Sequence, residues 1–198
     1  MIRRFSIFLM TAAIIGASLA QASTWTADPA HSNVGFKVKH MMVSNVHGSF
    51  GKFEVTVNYD EKDVTKSSVN VTIDAASINT GVERRDNHLR SPDFFDVAKF
   101  PQLTFVSKRV EKAGESLNII GDLTMHGVTK EVALDVTELN PPITDPMGGM
   151  RMGASASTRI NRTDYGLLWN KAIEAGGVVV GDMVGILIEV ELVKLIEK

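Results

Sequence analysis

Apolar and polar residues alternate with a period of two through most of this chain, which limits what it can fold into. Val34, Phe36 and Val38 alternate with Gly35, Lys37 and Lys39, and Phe53, Val55, Val57 and Tyr59 alternate with Lys52, Glu54, Thr56 and Asn58. Val69, Val71 and Ile73 repeat the pattern, as do Leu103 with Phe105, Leu117 with Ile119, and Leu123 with Met125. Val132, Leu134 and Val136 follow, and the chain closes on Val184, Ile186, Ile188, Val190 and Leu192. Neighbouring side chains on a strand point to opposite faces, so each segment predicts a strand with one apolar face. A further strand is expected from about Ala154 to Arg162. His126-Gly127 suits a tight turn between two of them, since Gly takes positive φ freely and His more often than most residues. The expectation is an all-β chain of seven to eight mostly antiparallel strands, arranged as a sandwich or a closed barrel. A barrel of that size is either filled by side chains or holds one small ligand, and alternation is consistent with both.

One segment breaks the period. Residues 82–98 hold a dense charge cluster beside Phe94-Phe95 and read as a short helical insert. Thr80 and Glu83 have capping-box spacing, and Ser91-Pro92 fits the start of a second short turn. Asp86 and Arg90 are four apart and can pair. The cluster either pins the insert to the strands or sends Arg85 or His88 to a polar ligand head at the barrel mouth. Arg162, which interrupts a small and neutral strand, is a second candidate for that contact. Asn140 to Gly153 carries Pro141, Pro142 and Pro146 with Gly148 and Gly149, and reads as a long loop.

The N-terminus reads as an address. Arg3-Arg4 precede an uncharged run from Phe5 to Leu19, and Ala20-Gln21-Ala22 supplies a small-x-small cleavage pattern. The run is too short for a membrane span, so residues 1–22 are expected to be a cleaved signal and residues 23–198 one exported, periplasmic domain. That compartment permits disulfides, yet the chain has no cysteine, so stability must come from burial. The expected cleavage removes two arginines and no acid, taking the formal net charge from −2 to −4. An acidic balance argues against nucleic acid as a partner, because phosphate binding needs a basic footprint.

Chemistry is sparse. There is no Gly-x-Ser-x-Gly elbow, no Gly-rich phosphate loop and no His-Glu-x-x-His. His31 and Ser32 are adjacent, which puts them on opposite faces of a strand and not in a nucleophile–base pair. The five histidines lack metal-ligand spacing. Thioethers can hold Cu(I), so Met147, Met150 and Met152 form a rival copper-binding reading; their other role is an adaptable apolar cover. No catalytic residue and no cofactor is expected.

In order and spacing the chain resembles the YceI-like family across nearly all of its mature length. The resemblance is carried by Asp28-Pro29-Ala30-His31-Ser32, Phe36-Lys37-Val38-Lys39-His40, Gly48-Ser49-Phe50 and Ser77-Ile78-Asn79-Thr80. More specific are Arg85-Asp86-Asn87-His88-Leu89-Arg90-Ser91 with Phe94-Phe95-Asp96, and the run from Gly121 to Lys130; Asn161-Arg162-Thr163-Asp164-Tyr165-Gly166 completes it. The resemblance implies an elongated, lipocalin-like antiparallel barrel around a long apolar molecule: a polyisoprenoid, an isoprenoid quinone, or a fatty amide or acid. It implies no catalytic activity. Taken with the alternation, it assigns the inner face of the barrel to Phe36, Phe53, Val55, Val71 and Leu103, with Phe105, Leu134, Ile186 and Ile188. The expected partner is a long-chain isoprenoid or acyl lipid, with transient membrane contact, and a homodimer is left open.

Overall fold

The computed structural model describes residues 22–114, 116–174 and 176–196. The signal-peptide reading falls on residues 1–22 and so lies almost wholly outside them. Twelve strands and one α-helix are present: β1 (Ser23–Ala27), β2 (Asn33–His40), β3 (Ser44–Phe50), β4 (Phe53–Tyr59), β5 (Ser68–Asp74) and β6 (Ile78–Asn79), then α1 (Glu83–Arg90). They continue as β7 (Gln102–Ala113), β8 (Ser116–Met125), β9 (Val128–Leu139), β10 (Ile143–Thr144), β11 (Met150–Asn161) and β12 (Val180–Lys194).

Eight of these close a ring. β11, β9, β8, β7, β5, β4, β1 and β12 are neighbours in that order, and β12 returns to β11. Every pairing is antiparallel. The fold is therefore a closed eight-stranded antiparallel barrel, as the alternation and the resemblance led one to expect. The hairpin from β8 to β9 turns on two residues, His126 at φ 52° and Gly127 at φ 75°, between the paired Met125 and Val128. Positive φ at both central positions is the turn whose twist matches the flanking strands.

The barrel wall forks. Along one edge β12 pairs with β1 through Leu192–Lys194 and with β2 through Val180–Glu189. Between the two half-strands, Asp28 N–H donates to Glu191 O at 2.8 Å and Glu191 N–H to the Ser32 hydroxyl at 3.0 Å, which bridges the step. β1 carries the wall on to β4, while β2 leads to β3 and β6. The end of the barrel where β2, β8 and β11 finish is covered by the segment from Ala75 to Pro101, which contains α1.

Arg151 sits over the fork. Its guanidinium donates to Asp145 at 2.8 Å, to Asp28 at 3.0 Å and to Glu191. Asp28, Glu191 and His31 could together hold a cation, and Arg151 already supplies the positive charge between the two acids. Asp145 also accepts the N–H groups of Met147 and Gly149, so residues 143–151 form an ordered hairpin where the sequence suggested a loose loop. The β2–β3 tip is less comfortable. Met41 and Met42 hold φ of 49° and 62°, a region that costs a non-glycine residue on the order of 1 kcal/mol or more.

His31, Arg151 and the Ala30 N–H hold the Asp28 carboxyl down from 3.8 to about 2. Its folded value lies below its unfolded one, so its contribution is complete above pH 3.8 and is lost as pH falls through about 2. Arg151→Met should lower the melting temperature by several degrees at neutral pH. Melts recorded between pH 4 and pH 2 should show parent and variant converging; a gap that stays constant would place the contribution of Arg151 outside this ion pair.

A candidate lipid slot inside the barrel

The inward faces of the ring enclose one elongated void. Its walls include Val55, Val71, Leu103, Phe105 and Leu134, with Phe36, Ile186 and Ile188 on the β2–β12 side. Eight of the nine residues assigned from the sequence are thus brought together. The ninth, Phe53, points inward by alternation but is packed between two core clusters rather than on the slot wall. The void amounts to about 1380 Å³ out to open solvent. Leu117 to Met125 on β8 line it along eight residue steps, about 26 Å along the strand at ~3.3 Å each.

Among the described residues no charged side chain lines the slot; Tyr59 and Ser67 bring its hydroxyls. Ser67 accepts the Asp60 N–H at 3.0 Å. Glycine shapes the wall at two points. A methyl group at Gly121 would lie 2.6 Å from Phe105 Cζ, and one at Gly48 2.4 Å from Phe36 Cζ. Both aromatic rings therefore lie over a neighbouring glycine. Val57, Leu123, Val190, Leu192 and Met152 also line the slot and were not assigned from the sequence. The first four follow from the same alternation. Met152 was missed because it was read as loop, although Met150, Met152, Ala154 and Ala156 keep the period of β11.

The polar residues singled out beforehand lie elsewhere and are occupied. Arg162 is 4 % exposed and donates to the carbonyls of Gly181, Leu167, Trp169 and Val180 and to Asp182. Burial pushes its guanidinium down, and Asp182 offsets this. It ties the Leu167–Trp169 segment to the start of β12 and has no donor left for a head group. Arg85 Nε donates to Thr80 Oγ1 at 2.7 Å and its Nη2 to Thr80 O at 2.9 Å. Together with His88, Arg85 borders a shallow groove on the outside of α1, not the slot. His88 meets Asp93 at 2.8 Å and stacks edge-on against Phe94 and Trp169.

Two expectations for the insert fail for the same reason. Val82, not Thr80, is the N-cap of α1, with no side-chain cap. Asp86 does not pair with Arg90; it reaches back to accept the Thr80 N–H at 2.9 Å and hydroxyl at 2.5 Å. Arg90 donates to the carbonyls of Ala76 and Ile78, both at 2.7 Å. The backbone of residues 76–80 carries unpaired groups that these side chains satisfy better than they would satisfy each other. The three methionines of the copper reading also separate. Met147 is 88 % exposed at the hairpin tip, whereas Met152 is 4 % exposed in the slot wall.

The architecture defines a small β-barrel with an apolar interior, closed at one end by a helical plug. The YceI-like domain model matches residues 25–192, and the chain belongs to that family. A UPF0312 protein of Staphylococcus aureus is 43 % identical over 160 residues, covering 80 % of this chain and 91 % of that one. The crystal structure of a Campylobacter jejuni YceI protein is 35 % identical with a TM-score of 0.68, covering 86 % of this chain and 96 % of that one. A polyisoprenoid-binding domain from Saccharophagus degradans has the same fold at 17 % identity, with a TM-score of 0.62 over 86 % of this chain and 98 % of that one.

Two substitutions test the division between plug and slot. Asp86→Ala removes two hydrogen bonds to a buried carboxylate and should cost about 2–3 kcal/mol of stability in a denaturant melt. It should leave the identity of any bound ligand unchanged. Phe105→Glu places a charge against an apolar wall and should cost several kcal/mol or empty the slot. Val106→Gln, on the outer face of the same strand and 50 % exposed, should do neither.

Proposed function

We propose that this protein is a non-catalytic carrier that holds one long apolar lipid in its barrel. The lipid is a polyisoprenoid, an isoprenoid quinone, or a fatty amide or acid. The observation that carries this reading is the slot itself: long, and walled almost wholly by hydrocarbon from seven of the eight ring strands together with β2 and β3. The polyisoprenoid-binding description of the S. degradans domain supports the same class of ligand. Burying each CH₂ from water is worth about 0.8 kcal/mol, so a linear chain is strongly held against release into solvent. A carboxylate drawn into the same walls would lack a partner, at a cost of several kcal/mol. The hydrocarbon therefore occupies the slot and any charged head stays at its rim, which favours neutral heads for full enclosure.

The carrier works outside the cytoplasm in this reading, as an exported, periplasmic protein cleaved after Ala22. Arg3-Arg4, the uncharged run and Ala20-Gln21-Ala22 support export. Among the described residues no helix is long and apolar enough to cross a membrane. In this reading the ligand is collected from a lipid phase and shielded in transit.

Native mass spectrometry of protein gently purified from the exported fraction tests both halves. The chain should begin at Ser23 and carry one long-chain lipid, released on denaturation and identifiable in the organic extract. A parent protein that never carries or takes up such a lipid would leave a filled, structural barrel. A full-length chain found in membranes would remove the periplasmic assignment.

A further inference from the structure

The carrier reading leaves open how the protein meets a lipid phase. At the plugged end of the barrel, the β2–β3 hairpin projects three apolar residues in a row. Met41 is 43 % exposed, Met42 54 % and Val43 81 %. The backbone that presents them is strained, with Met41 and Met42 both in the left-handed region at a tip where Asn or Gly would relieve it. Water-exposed apolar side chains on a strained turn are doubly unfavourable for a soluble tip, and such strain clusters where the segment has a task.

The tip is also held firmly. Met41 N–H donates to Val179 O at 2.8 Å and Val43 N–H to His40 O at 3.1 Å, while Met42 lies across Gly177, close to where a side chain there would begin. Its surroundings are cationic. Lys37 and Lys39 stand exposed on the outer face of β2, and Lys171, whose carbonyl accepts the Val179 N–H, is exposed on the segment beside the tip. Of the acids nearby, Asp182 is bonded to Arg162 and Glu174 is exposed on the 173–177 turn. Leu168, 67 % exposed, adds a fourth apolar residue at the same end.

We infer that Met41, Met42 and Val43 are a membrane-docking tip, which seats in the interface of an anionic bilayer with Lys37, Lys39 and Lys171 against the headgroups. Apolar side chains flanked by lysines match the two layers of that surface: acyl chains below, phosphates above. This rests on the carrier reading for its purpose but is read out separately, since docking and slot occupancy are different measurements.

The test is co-sedimentation of the mature protein with phosphatidylcholine vesicles made with and without phosphatidylglycerol. The parent should bind the anionic vesicles and be weakened by salt. The variant M41S/M42S/V43S, which relieves exposed apolar surface and leaves the barrel intact, should bind at least about tenfold more weakly. Its lipid content by native mass spectrometry should match the parent's. K37E/K39E should lose the preference for anionic vesicles. Met42→Trp should show a blue-shifted emission on vesicle addition if the tip enters the interface. A parent that ignores both vesicle types, or a triple-serine variant that binds as well as the parent, overturns the inference. So does a triple-serine variant that turns a dimer into a monomer with vesicle binding unchanged, since the tip would then be a contact between copies. An empty slot in a parent that still docks would instead count against the carrier reading alone.

Discussion

The edge that β12 shares between β1 and β2 governs the rest of the architecture. At fifteen residues β12 is long enough to serve two half-strands in turn, and across the five residues from Asp28 to Ser32 the change is bridged by Asp28 N–H on Glu191 O and Glu191 N–H on the Ser32 hydroxyl. Because the two half-strands then part company, β3 and β4 diverge, and the barrel end between them has to be filled by something other than sheet. The 3-10 turn Ala75–Ser77 stitches the divergence, accepting the Gly51 N–H at Ser77 O, and α1 packs beyond it. Arg151 gathers three carboxylates at the fork, where their mutual repulsion would otherwise oppose the step.

That constraint explains what could be read from the sequence. Period two is a property of backbone geometry, so the strands Phe53–Tyr59, Ser68–Asp74 and Val128–Leu139 announce themselves wherever one face is buried. The His126-Gly127 turn is legible because only a few residue types tolerate its dihedrals. Eight of nine slot residues follow from the same rule, while Phe53 shows its limit: alternation assigns a face, not a place along the barrel. Met150 and Met152 were hidden because Ala and Ser, rather than Val and Ile, continue their period. The side-chain partners of the insert were not legible at all. Capping-box and i,i+4 spacings are local patterns, whereas Asp86, Arg85 and Arg90 answer to carbonyls and N–H groups of residues 76–80 that tertiary structure brings near.

The same partners decide the chemistry of the interior. Arg85, Asp86 and Arg90 of the insert are taken up by backbone and hydroxyl groups of residues 76–80, and Arg162 by the segment before β12. The plugged end of the slot is left with Phe36, Phe50, Met125 and Ile160. Such a wall offers a ligand no directional hydrogen bond, so it discriminates by width and length more than by functional group. Gly48 and Gly121 set that width, since each leaves room for a ring that any larger residue would push into the void.

An apolar slot alone does not make exchange with a bilayer favourable. Acyl chains solvate a lipid tail about as well as Val, Leu and Phe do, so the term of ~0.8 kcal/mol per CH₂ that holds the ligand against water nearly cancels between membrane and barrel. What remains is fit, the entropy lost when a flexible chain is confined inside the barrel, and the cost of crossing the water between the two phases. The last of these vanishes only if barrel and bilayer touch during transfer. A barrel whose interior is this uniformly apolar therefore gains little from a tighter slot and much from a surface that shortens the gap. On such a molecule exposed apolar residues on a strained, firmly anchored hairpin have a physical reason to persist.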